Sequence, residues 1–149
     1  MIEWSLEELG GRAAQVLHPL HRSLAAFEPL AATVRSSWAE DTAWIHGWDS
    51  GNAARGQCGT SSLVFQDECG GHLARGLVHE TGRSAVPTVH YWNVVEDRHV
   101  DLTWQQFSTT AFVIRWEPVE RVDLLVDDWL TGRYVTLRSR IVEQFLAPV

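Results

Sequence analysis

The chain has no lysine: all twelve of its basic residues are arginine. This excludes a lysine Schiff base or a lysine nucleophile. Cysteine is almost as scarce, with only Cys58 and Cys69, so a disulfide framework is not expected. No apolar run approaches the roughly 20 residues that cross a bilayer. Positive charge is outweighed, with a formal net charge of −7 and the arginines scattered along the chain. A phosphate-backbone ligand needs clustered cations, so nucleic acid is not an expected partner. Nor do the helices carry the basic face that a membrane surface would attract. The segment from Met1 to Leu9 has acids and no basic cluster, unlike a signal peptide, so a cytoplasmic location is expected.

What remains is the composition of one globular domain over 1–149, with 45% hydrophobic and 21% charged residues. Leu6, Leu9, Ala13, Val16, Leu17 and Leu20 recur at helical spacing. Helix is therefore expected from Leu6 to Trp38, broken near His18 to Ser23, with Pro19 and Pro29 interrupting it. Glu40 to Arg55 reads as a loop rich in tryptophan. Gln57 to Cys69 reads as a helix that Gly70-Gly71 stops. The period then changes. His72 to Val78, Val86 to Val95 and Arg98 to Leu102 read as strands, with Glu96-Asp97 as the turn between the last two. A helical turn is expected at Thr103 to Phe107, a short helix or loop at Pro118 to Asp128, and a terminal helix at Trp129 to Phe145.

The chemistry concentrates around Cys58. It follows Gly56-Gln57 at the expected helix start, where free N–H groups and the dipole favour a thiolate. Cys69 lies at the opposite end, where the field has the wrong sign, and reads as a packing residue. A cysteine nucleophile needs a base and proton donor, and His90 qualifies. A turn near Glu96 makes Asp101 a cross-strand neighbour of His90, able to fix the imidazole tautomer. An attacked carbonyl also needs donors for its oxyanion. The Cys58 N–H is one, and the amides of Asn52 and Gln57 are both candidates for a second. Trp48 and Trp92 are the expected walls of a substrate site. Cys69-Gly-Gly-His72 has ligand-like spacing, but zinc sites usually show two such pairs, so no metal is expected.

These segments resemble the YunG-like family of small bacterial proteins, which is similar to the papain-like cysteine peptidase superfamily. The resemblance is carried by Asn52 to Cys58, Ser62 to Asp67, Gly70-Gly71, His90-Tyr91-Trp92-Asn93, Asp101-Leu102-Thr103, Gln106-Phe107 and Thr131 to Leu137. It spans roughly Trp38 to Val142. Two departures are Gly59, where alanine is expected, and Ala53, where proline is common. The resemblance implies an α+β, papain-like fold, with N-terminal helices and a nucleophile helix packed on a small antiparallel sheet that carries His90 and Asp101. Residues 1–20 then form a helical extension. It also favours Asn52, six positions before the cysteine, for the oxyanion. The expected activity is a thiol hydrolase or acyltransferase without a cofactor, acting on a small-molecule, peptidyl or other acyl substrate. The rival expectation is a non-catalytic binding module for a small molecule or protein on the same fold.

Overall fold

The computed structural model describes residues 2–5, 27–80 and 86–146, with backbone alone at 2–5 and 145–146. The helix expected from Leu6 and its break near His18 lie outside the described residues. Strand β1 is Ile2–Ser5 and helix α1 is Glu28–Ser36. Pro29 does not interrupt α1. It sits in the first turn, where its missing N–H has no bond to lose, and Ala31 and Val34 are buried behind it.

Helix α2, Cys58–Cys69, is the centre of the molecule. Its first eight residues, Cys58 to Phe65, are all buried, so it has no solvent face there to give it amphipathic character. Gly70 and Gly71 end it with φ of 70° and 79°. A side chain at Gly71 would also strike the Val94 carbonyl oxygen at 2.3 Å, so glycine is required twice over. Gly59 has a steric reason as well: a Cβ there would meet the Trp44 ring at 3.0 Å and Leu130 at 3.1 Å.

Strands β2 (His72–His79), β3 (Thr88–Val95), β4 (Arg98–Asp101) and β5 (Phe112–Val119) complete an antiparallel sheet with β1. The order is β1-β4-β3-β2-β5. Glu96 and Asp97 turn β3 into β4 with φ of 52° and 62°, the left-handed pair that a tight hairpin needs. Two strands differ from expectation. The N-terminal residues expected as the start of a helical extension pair instead as β1, with Ile2 opposite Asp101. β5 is not foreshadowed by hydrophobic alternation in the sequence. It is an edge strand with Pro118 and a register shift against Leu77/Val78, both of which blur alternation. The chain closes with α3 (Arg121–Leu125) and α4 (Asp128–Leu146). Among the described residues no helix is long and apolar enough to cross a membrane.

The result is an α+β fold, with helices packed against one face of an antiparallel sheet. Leu73, Tyr91 and Val100 face Leu63, Phe65, Leu130 and Leu137 of α2 and α4. Asn93 points the same way and donates from Nδ2 to the Ser62 carbonyl. The alternate residues of the strands face the other side, where Ala74, Val78, Trp92 and Val94 pack with Trp104 and Val113. Trp92 lies flat over Gly76, where a Cβ would come within 2.4 Å of the indole. Gly76→Val is therefore expected to destabilise the protein by about 1–3 kcal/mol, read as a lower urea midpoint.

Candidate active site

The β3–β4 hairpin sets the first contact. Its register pairs Val94 with His99 and Asn93 with Val100, which makes Asp101 the diagonal neighbour of His90. His90 Nε2 and Asp101 Oδ2 are 2.5 Å apart, and both side chains are fully buried. The other oxygen, Oδ1, accepts from the Thr103 backbone N–H at 2.9 Å and from its hydroxyl at 3.2 Å. The carboxylate is thus held from behind with one oxygen left for the imidazole. Trp92 stacks on the His90 ring at 5.7 Å, and Phe107 meets it edge-on at 4.9 Å.

Burial disfavours a charged imidazole, yet the His90 pKa is raised to about 10. The Asp101 charge and hydrogen bond overcome the burial, and Cys58 adds a side-chain hydrogen bond and a charge of its own. His90 Nδ1 is buried with no well-aligned hydrogen-bond partner, so the sulfur contact is a loose one. His99, two residues before Asp101, behaves oppositely. Burial pushes its pKa down to about 3 against the pull of Asp101, and its Nδ1 accepts from the Trp92 indole at 2.7 Å. The two histidines are pushed in opposite directions, His90 towards its charged form and His99 towards its neutral one.

Cys58 begins α2 and is 8% exposed. It belongs to the core between helices and sheet, and its side chain still reaches the His90 ring, whose neighbour Trp92 packs in the other cluster. Cys58 also lines a half-open cavity of about 710 Å³. Trp44, Ile45, Tyr91 and Phe107 give this cavity apolar walls, and Arg55 and Glu80 give it charge. Cys58 thus stands at a helix start, beside a cavity, and its side chain contributes to the raised pKa of His90. Cys69, half-buried at the other end of α2, has its thiol pKa raised by burial and by Glu68.

Asn52 donates from Nδ2 to the carbonyl of Gln106, a residue of the cavity wall. Gln57 is fully buried, donating to the Ala39 carbonyl and accepting from the Thr42 hydroxyl, so its amide is occupied inside the fold. Trp48 is half-buried and bonds the Ala53 carbonyl, and it does not line the cavity. Trp92 has no exposed surface, because Trp104 and Trp116 cover the face it shares with His90. The cavity's aromatic walls come instead from Trp44, Tyr91 and Phe107. Tyr91 had a readable signal, since alternation on β3 sends it to the face opposite His90 and Trp92. Arg55 had none beyond its place three residues before the cysteine. Among the described residues no group of three or more His, Cys, Asp or Glu is placed to hold a metal ion.

Fold and site together define a small α+β domain with a cysteine-headed central helix and a buried His–Asp pair on the sheet. The model of the YunG protein family matches residues 26–146, and the chain belongs to that family. No curated protein and no solved structure matches the chain.

Proposed function

We propose that the protein is a cysteine-dependent hydrolase or acyltransferase of papain-like type, acting on an amide, peptide or thioester. The observation that carries this reading is the buried His90–Asp101 pair, on whose ring Cys58 also acts from the wall of a cavity. The Cys58 sulfur, as a thiolate with the proton on His90, attacks the acyl carbonyl carbon and forms a C–S bond. The oxyanion is met by the Cys58 backbone N–H and by the amide of Asn52, which shifts from the Gln106 carbonyl to do so. The tetrahedral intermediate expels an amine or thiol, and His90 gives that leaving group its proton. Asp101 keeps the imidazole oriented. Water or an amine then attacks the acyl-enzyme, passes its proton to His90 and frees the thiolate, which restores the starting pair. Such a thiol works only while reduced, which suits the cytoplasm.

A second reading is a non-catalytic binding module built on the same cavity. It is favoured by His90 Nδ1, which is buried without a well-aligned hydrogen-bond partner, so no well-formed bond joins the thiol to the imidazole. Incubation with chloroacetamide and with a panel of acyl thioesters, followed by intact mass and peptide mapping, separates the two. The expected result is acylation and alkylation confined to Cys58. Labelling at Cys69 alone removes the nucleophile assignment, and no acyl adduct with any thioester favours the binding module.

A further inference from the structure

The chain has a net charge of −7, and most of its arginines among the described residues are engaged. Among the described residues, Arg35, Arg75, Arg121, Arg138 and Arg140 each pair with a carboxylate. Arg133 donates to the Glu40 carbonyl and covers the Trp129 ring, and Arg98 also has a partner. Two are left over, Arg55 and Arg115. Arg55 lines the Cys58 cavity, and Arg115 lines a second cavity of about 500 Å³. The two cavities share one wall, made by Val89 and Tyr91. Val89 is 50% exposed there, an apolar surface open to a ligand.

We infer that the two cavities form one groove for an extended, acidic, peptide-like acyl substrate. Its apolar body crosses Val89 and Tyr91, with one carboxylate at Arg55 and another at Arg115. This deepens the proposed function and rests on it for the position of the scissile carbonyl at Cys58. The neighbouring charges fix the polarity. In the second cavity Arg75 is already neutralised by Glu117, which leaves Arg115 as the free cation. In the first, Glu80 is held by the Ser108 N–H and has a further partner, which leaves Arg55 as the charged group there that is open to a carboxylate. A guanidinium with no internal partner can offer its fork of donors to a carboxylate without first breaking an ion pair.

The test uses two benzyl thioesters, succinyl-Phe-Glu and its uncharged counterpart acetyl-Phe-Gln, with the rate of Cys58 acylation read by intact mass. The acidic donor is expected to react about tenfold faster at low salt, and the preference to shrink at high salt. Arg55→Ala and Arg115→Ala are each expected to slow the acidic donor about three- to tenfold and to leave the neutral donor unchanged. Equal rates for the two donors, or a preference that survives both substitutions, overturns the inference while leaving the thiol chemistry standing. If neither donor acylates Cys58, the chemistry fails and binding decides the inference. Fluorescein-labelled succinyl-Phe-Glu amide is then titrated into Cys58→Ala and followed by anisotropy. Binding that Arg55→Ala weakens supports the acidic groove, and no binding, or binding indifferent to both arginines, overturns it.

Discussion

Asp101→Ala is expected to destabilise the protein by about 3–5 kcal/mol at neutral pH, because it strands a buried imidazole that the carboxylate holds in its charged form. The Thr103 N–H and hydroxyl lose their acceptor in the same change. The pH dependence gives this effect a signature that a cavity alone would not. The His90 pKa rises from 6.5 to about 10 on folding, so the folded state binds the extra proton. The stability that results is fully present below pH about 6.5 and is lost as pH rises through about 10. Urea denaturation across that window should show a decline in the wild type that is largely missing from Asp101→Ala. A variant within about 1 kcal/mol of wild type, with the same profile, would mean that the pair is not an ion pair.

The second large effect is kinetic. His90→Ala is expected to slow acylation of Cys58 by a thioester about 10²- to 10⁴-fold, the usual range for losing a positioned proton donor. His72→Ala provides the control. His72 is exposed and begins β2, beyond the opposite end of α2 from Cys58, so its loss should leave the rate unchanged. Rapid-quench intact mass measures both. If the two variants react alike, at the wild-type rate, the imidazole has no part in the chemistry and α2's N-terminus alone activates the thiol.

What could be read in advance was local. Gly70-Gly71 announced the end of α2, and Glu96-Asp97 announced the hairpin that brings Asp101 to His90. Both depend on backbone preferences that neighbouring residues already determine. What could not be read depended on distant partners. β1 takes its identity from pairing with β4, and no periodicity marks four residues as a strand. β5 hides its alternation behind a register shift and Pro118. Trp92 illustrates the same limit within the site. Alternation does put it on the His90 face, but only the fold shows that Trp104 and Trp116 bury that face. The cavity instead opens where the 44–45 loop, the start of α2 and Phe107 converge on Tyr91, a meeting of segments far apart in sequence.

The central claim is that Cys58, His90 and Asp101 act on one another as a single electrostatic unit. The most direct measurement is an NMR titration of the His90 ring nitrogens in the wild type, Cys58→Ala and Asp101→Asn. The account predicts an imidazolium that persists in the wild type to pH near 10. It predicts a lower midpoint in Cys58→Ala and a still lower one in Asp101→Asn. A His90 that titrates near 6.5 in the wild type, with a midpoint that Cys58→Ala does not move, would contradict it.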